Sequence, residues 1–283
     1  MRIYAILFVL AAFFLAGCVE VAPVVTGSMG GPIDPGPDLG DQKRQVLIEE
    51  FTGIRCVNCP AGSAEIEVLL STHGPQLVAV SIHAGEFAPP YPNSLFDFRT
   101  QVGNQLLSYL GEPFGYPTAV VNRKKFDGQF NLQLSKGEWA GYIADEKAIP
   151  PKVRIGIEPD FNATSRDLAI KVTLRVDETI TDPDVRLSIM FTESGIQDMQ
   201  LTPSSSQPKA DYVHKHVLRG MATPFDGVPL TESLAAGSVI TKTFNYAVPA
   251  NWKEDNCKVI AHVSISGAQK DVLQVHQVKM VKG

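Results

Sequence analysis

Two residues separate Cys56 from Cys59 in Phe51-Thr52-Gly53-Ile54-Arg55-Cys56-Val57-Asn58-Cys59-Pro60. Two thiols at that spacing close a small disulfide and can pass it to an outside thiol, provided one of them is held as a thiolate. The flanking residues supply a means. Val46-Leu47-Ile48-Glu49-Glu50 reads as a buried strand, and Ala61 to Thr72 carries apolar residues at Ala61, Ala64, Val68 and Leu69, a helical spacing. A strand-to-helix junction places the first sulfur at a helix N-terminus, where unpaired N–H groups and the dipole favour negative charge. Arg55 pushes the same way, and Pro60 falls in the first turn, where a missing N–H costs little.

Glu50 has the strand parity of Val46 and Ile48, so it points where they point, into a core. A carboxyl there has a raised pKa and can take the proton of Cys59; the alternative is a solvated strand end at Glu49-Glu50. For the cysteine pair the plain alternative is a structural disulfide. Zinc needs a second ligand pair, and only Cys257 and scattered histidines remain, so no metal is expected. Covalent haem needs a histidine where Pro60 stands, and no cofactor is called for. His214 and His216 share a strand face in this reading but lack a completing carboxylate or cysteine, so they are expected to face solvent. Cys257 reads as a buried small hydrophobe.

The elements that must position these residues run along the whole chain. The first residues are a targeting segment: Arg2, an apolar run Ile3 to Leu15 too short to span a bilayer comfortably, then Leu15-Ala16-Gly17-Cys18, which looks like a bacterial lipobox. Residues 1–17 are then a signal peptide, and Cys18 carries the lipid, palmitate included, that tethers the protein to a membrane; the plain alternative is an ordinary secretory signal or an uncleaved anchor with an incidental cysteine. Val19 to Gln42, rich in Pro and Gly, is a linker spanning roughly 25–30 Å as a flexible coil. Leu77 to Ile82 is a second buried strand, Ala84 to Pro92 a loop, and Asn93 to Leu110 a helix with Leu95, Phe96, Val102, Leu106 and Leu110 as its apolar positions. Gly115-Tyr116-Pro117-Thr118 opens a third strand, and Ser135-Lys136-Gly137-Glu138 has the form of a capping box that starts a last helix burying Trp139, Tyr142 and Ile143.

Pro150-Pro151 marks a boundary beyond which the period becomes two. Val153/Ile155/Ile157, Leu168/Ile170/Val172/Leu174/Val176, Val185/Leu187/Ile189/Phe191 and Val259/Ala261/Val263/Ile265 alternate with polar residues. With 214–219, 238–248 and 272–280 they make about seven strands, an antiparallel β-sandwich of immunoglobulin or fibronectin type. Ser194 to Tyr212 is polar and serine-rich, a candidate surface loop. The halves on either side of the break are expected to fold independently. A net charge of −5 with no basic cluster argues against nucleic acid as a partner.

Strand, Cys-x-x-Cys helix, strand, helix, Pro-initiated strand, hairpin and closing helix over residues 43–149 resemble a thioredoxin-type domain. In that family a cis-proline faces the cysteines, which implies that role for Pro117, with Tyr116 and Thr118 beside it. A buried acid six residues before the first cysteine is also typical, and Glu50 holds the spacing. An aromatic residue before proline also favours cis, whereas an ordinary trans proline opening a strand is the plain alternative. Arg55 stands where the family has tryptophan, and Val57-Asn58 where it has Gly-Pro. Taken whole, the chain is similar to the 28-kDa outer membrane protein family of Gram-negative lipoproteins. Phe51-Thr52-Gly53, Cys56, Cys59, Pro60 and the tail around Trp252 and Cys257 carry that likeness. The expected fold is an α/β thioredoxin-like domain followed by an all-β sandwich over 150–283. The expected function is thiol–disulfide exchange with exported proteins from the outer membrane, on its periplasmic or surface side. In that scheme Cys56, Cys59, Pro117 and Glu50 act catalytically, and Arg55, Tyr116 and Thr118 meet the substrate. The alternative is a non-enzymatic surface lipoprotein whose sandwich binds a protein or glycan.

Overall fold

Seven residues of β1, Val46–Thr52, lead straight into the cysteine turn. The structure is a computed structural model describing residues 39–281. The targeting segment, Cys18 and most of the linker lie outside the described residues. In order come β1 (Val46–Thr52), α1 (Cys59–His73), β2 (Leu77–His83), α2 (Gln101–Leu110), β3 (Thr118–Val121), β4 (Leu134–Ser135) and α3 (Trp139–Lys147). β1 is buried along its whole length because it has a strand on each edge and a layer on each face. It runs parallel to β2 and antiparallel to β3, which pairs with β4. Val46 and Ile48 face Ile66 and Leu69 of α1 and Trp139 and Ile143 of α3. Leu47 and Phe51 face Leu106, Leu107 and Leu110 of α2.

Two helices differ from their sequence-based expectation. The buried side of α1 is Cys59, Gly62, Ile66 and Leu69, while Ala61, Ala64 and Val68 lie on the outside. The reason is Gly62. A Cβ there would come within 2.6 Å of Glu50 Oε1 and 2.7 Å of Pro117 Cβ, so the helix approaches the sheet on its smallest residue. The second helix starts at Gln101 instead of Asn93, capped by Thr100, whose Oγ1 accepts from Gly103 N at 2.9 Å. Leu95 is exposed, and its N–H and that of Phe96 are bound by the Asp198 carboxylate. The expected capping box at Ser135 and Glu138 is present, and it leads through one 3₁₀ turn into α3.

Beyond Pro150-Pro151 the chain forms β5 (Val153–Phe161), β6 (Asp167–Val176), β7 (Val185–Glu193), β8 (Ile196–Thr202), β9 (Ser205–His214), β10 (Val217–Met221), β11 (Val228–Pro229), β12 (Val239–Ala247), β13 (Cys257–Ile265) and β14 (Val272–Lys279). The four alternating runs bury the residues their period indicates, from Val153 to Ile265, in one core with Trp252 and Cys257. That core lies between the β12-β6-β5 sheet and strands β7, β13 and β14, so this half is a pair of packed antiparallel sheets. The second of these is not a separate sheet. Its order continues β14-β13-β7-β10-β2-β1-β3-β4, with β10 lying parallel beside β2 and Ser81 N donating to His216 O at 2.7 Å.

Besides a core on each side of the change of period, the two halves share a third. Met190, Leu218, Ile260, Val272 and Val275 share a cluster with Leu47, Phe51, Val80 and the α2 leucines. Arg44 reaches the carbonyls of Val272 and Leu273 and the Glu146 carboxylate, joining the start of β1 to β14. The described residues fall in one compact unit. Among them no helix is long and apolar enough to cross a membrane.

The stretch 194–212 is a hairpin instead of a surface loop. β8 and β9 pair only with each other. Their feet continue β7 and β10, which are themselves antiparallel neighbours, so β7-β8 and β9-β10 form one long ribbon. The ribbon bends at a single level, where Gly195 and His216 both take positive φ, 78° and 54°. The alternation along β8 is written in buried polar residues, Asp198, Gln200 and Thr202, which a hydrophobic pattern does not register.

Candidate functional site

β1 ends at Thr52 and delivers the chain into a tight turn. Cys56 N donates to Gly53 O at 3.0 Å, and Cys59 N to Cys56 O at 3.3 Å. α1 opens at Cys59 with Pro60 in its first turn, so Cys56 sits in the turn before the helix and Cys59 is its first residue. The two are joined by a disulfide. Gly53 is required by contact: a Cβ would come within 2.3 Å of the Phe87 backbone, and the neighbouring Arg55 N donates to Phe87 O at 2.9 Å. The Phe-Thr-Gly stretch thus lets the cysteine turn lie directly on the loop after β2.

Glu50 is fully buried on the α1 side of β1, as its parity with Val46 and Ile48 requires. Its Oε2 accepts from Ser81 Oγ at 3.0 Å, and its Oε1 faces Gly62 in the first turns of α1 with no hydrogen-bond partner among the described residues. Loss of water pushes its carboxyl up to about 8, against the smaller opposing effect of Ser81. Pro117, at the entry to β3, touches the same helix face at Gly62, and its peptide bond with Tyr116 is cis. The structure therefore brings Cys56, Cys59, Glu50 and Pro117 to one end of the sheet.

The flanking residues are placed differently from one another. Arg55 turns its guanidinium to the Pro89 and Pro90 carbonyls at 2.8 and 2.6 Å and lies over the Tyr91 ring at 4.6 Å. It braces the loop after β2. Tyr116 is half-buried, with its hydroxyl donating to Ala84 O at 3.3 Å and its ring against Phe87. Burial, with Glu112 and Glu86 nearby, pushes that hydroxyl up to about 12. Thr118 is buried and spends its hydroxyl on Leu134 O at 3.0 Å.

The largest departure from sequence expectation is what lies over the turn. Gln200 of β8 donates its side-chain amide to Cys56 O at 3.0 Å, and Leu201 N donates to Ile54 O at 2.8 Å. Cys56 is 3% exposed and Cys59 1%. His214 does not face solvent. It is buried against Phe98, 4.6 Å between ring centroids, and against His83, with Nε2 3.2 Å from Met199 O. Burial lowers its pKa to about 4. His216 is not on the same strand; it lies in the bend, with Nε2 2.9 Å from Glu67 Oε1 of α1. Gln200, Asp198 and Ser81 could not be singled out from sequence, since each is an ordinary polar residue until its partner is known. Cys257 is free and buried, its thiol pushed up to about 12 by desolvation. Among the described residues no group of three or more His, Cys, Asp or Glu is arranged to hold a metal ion.

No curated protein matches the chain. Among solved structures it is similar to HBP35 of Porphyromonas gingivalis, with a TM-score of 0.66 and 19% identity, over 85% of this chain and 76% of that one. Protein AGR_C_4864 from Agrobacterium tumefaciens is similar over 86% of this chain and 98% of its own, with a TM-score of 0.54 and 11% identity. A domain of the outer membrane lipoprotein Omp28 from Porphyromonas gingivalis aligns over 46% of this chain and 88% of its own, at 18% identity and a TM-score of 0.32. At these identities the first two likenesses bear on fold alone. The family model of the outer membrane protein Omp28 matches residues 104–282, from α2 through β14. That stretch is more than half of the chain, and the protein belongs to the Omp28 family of outer membrane proteins.

Proposed function

We propose that this outer membrane protein exchanges disulfides with other exported proteins through Cys56 and Cys59. The observation that carries the reading is Glu50, a buried carboxyl at about 8 set beneath the helix that Cys59 opens. A purely structural disulfide has no use for a group poised to take a proton near neutral pH. In the reducing direction the Cys56 thiolate attacks a substrate disulfide, forming a mixed disulfide and releasing one substrate thiolate. Cys59 gives its proton to Glu50 in its ionised form, the minor form at neutral pH, and attacks the Cys56 sulfur. The substrate leaves as its second thiolate, reduced, and Cys56–Cys59 is left oxidised. Run backwards, the same steps oxidise a substrate dithiol. Pro117 and Thr118 frame the substrate backbone, with Tyr116 and Arg55 bordering it.

One observation favours a second reading. Both cysteines are almost wholly buried, as in a structural disulfide of a non-enzymatic surface lipoprotein whose sheets bind a protein or glycan. The reduction potential separates the two: an exchanger lies well above the ~−300 mV at which structural disulfides resist glutathione. Cys59→Ser is expected to accumulate mixed disulfides through Cys56, and Cys56→Ser none. A potential below that threshold with no trapped species leaves the second reading standing.

The tether belongs to the same proposal. Residues 1–17 are a signal peptide, and Cys18, followed by a linker to residue 42, carries the lipid. The thioredoxin-like part is 43–149, and 150–283 is a sandwich of immunoglobulin or fibronectin type, a reading supported by its two packed antiparallel sheets. Cys18→Ser is expected to release the protein from membranes or leave an unprocessed precursor. An unlipidated mature N-terminus elsewhere overturns the tether.

A further inference from the structure

The bend in the β7–β10 ribbon, taken with what the bent arm touches, has a mechanical meaning. The arm makes no backbone pairing with either larger sheet. β9 is exposed over most of its length. Between it and α1 lies an open cleft of about 400 Å³ lined by residues such as Pro60, Ser63, Tyr212 and Lys215. An element with one exposed strand and a solvent-filled flank opens locally at lower cost than a strand inside a larger sheet. The two positive-φ residues lie one register step apart, between the Glu193–Val217 and Ile196–His214 pairs, and His216 N is held by Ser194 Oγ at 2.9 Å, so both strands turn within the same short stretch of the ribbon.

What holds the arm down is a short set of directed bonds at its far side. Gln200 binds the carbonyls of Cys56 and Gly53, at 3.0 and 3.4 Å, and Leu201 binds that of Ile54. Asp198 accepts from Leu95 N at 3.0 Å and Phe96 N at 2.7 Å. Ile196 adds an apolar contact with Ile54 and Phe98, and His214, nearer the bend, packs against Phe98 and His83. These partners lie in the cysteine turn, in the loop after β2 or at the end of β2 itself. Exchange needs a second sulfur in line with the Cys56–Cys59 bond, and neither sulfur is open to it while the turn is so enclosed.

We propose that the β8–β9 hairpin is a lid over the redox turn, hinged at Gly195 and His216 and latched by Gln200 and Asp198. It regulates the site read above as an exchanger, and rests on that reading. Closed, it shields the disulfide from small thiols; lifted, it exposes Cys56 to an extended substrate.

The test uses the oxidised full-length protein and dithiothreitol. One dithiothreitol thiolate attacks Cys56, the Cys56–Cys59 bond breaks, and the second thiol closes the oxidised ring, leaving two protein thiols. The rate is read by quenching and alkylation. Gln200→Ala, and independently Asp198→Asn, is expected to raise the rate about tenfold at every reductant concentration, the effect of losing a directed hydrogen bond from the closed state. Equal rates in wild type and folded variants overturn the lid. Hydrogen exchange on the wild type decides the matter even where a variant fails to fold. The Leu201 amide is expected to exchange by local opening, at least a hundredfold faster than the amides of β2. Exchange at the same rate as β2 overturns the proposal. The reduction potential, measured on the same samples, judges the exchange reading separately, because a lid changes rate and leaves the equilibrium between the oxidised and reduced closed forms alone.

Discussion

Ser81 Oγ stands 3.0 Å from Glu50 Oε2 and is the only hydrogen-bond partner that the buried carboxyl has among the described residues. One neutral hydroxyl offsets little of the desolvation of a charge, so the acid is held protonated well above its ordinary range.

Stability must then depend on pH through Glu50. Its folded pKa of about 8 lies above the unfolded value of 4.5, so the folded state holds the extra proton between them. The contribution is full below pH 4.5 and is lost as pH rises toward 8, by on the order of 5 kcal/mol at most. Glu50→Gln is expected to remove this slope and to be more stable than wild type at pH 8.5. Urea denaturation of both proteins at pH 5 and pH 8.5 checks it. Subtracting the variant cancels the buried histidines, which act in the opposite sense.

Gly62→Ala is expected to destabilise, although alanine is the better helix former by about 0.8–1.0 kcal/mol. The added methyl meets Glu50 Oε1 and Pro117, both fixed by the sheet, and must push α1 outward. Overpacking of this kind costs about 1–3 kcal/mol. Ser71→Ala, on an exposed position of the same helix, serves as the control and is expected within about 0.5 kcal/mol of wild type.

On the other face of β1, Arg123 binds both oxygens of Glu49, at 2.7 and 2.8 Å, with both side chains sealed from water. Removing one partner strands a buried charge. Arg123→Met is expected to cost about 3–5 kcal/mol, and the pair Glu49→Leu with Arg123→Met to recover most of it. A double-mutant cycle in urea reads the coupling directly.

The shared sheet predicts one unfolding transition. Trp139 reports on α3 and Trp252 on the core beyond the Pro150-Pro151 break, and the protein has only these two tryptophans. The fluorescence transitions of Trp139→Phe and Trp252→Phe are expected to coincide with each variant's own circular-dichroism transition. Leu218→Ala, in the cluster both halves contribute to, is expected to shift both probes together by about 2–5 kcal/mol.

Apolar periodicity was the signal that travelled best from sequence to fold. Alternation at Leu168 to Val176 names the buried side because that strand has one dominant core to face. Where contact instead of hydrophobicity decides a face, the signal failed. α1 turns Gly62 to the sheet and Val68 to solvent because Glu50 and Pro117 leave no room for a side chain. The segment before α2 stays unwound because Asp198, about a hundred residues away, takes the N–H groups of Leu95 and Phe96.

By itself the sequence determined the local chemistry: a cysteine pair in a strand-to-helix turn, an acid whose parity buries it, and a proline that opens the facing strand. Each follows from neighbours within a few residues, where spacing dictates geometry. Only the tertiary structure decided that β10 completes the sheet beside β2 and that Gln200 lies over Cys56. Those contacts join residues far apart in the chain through polar groups and backbone edges, whose partners become specific only once packing has brought them within hydrogen-bonding distance.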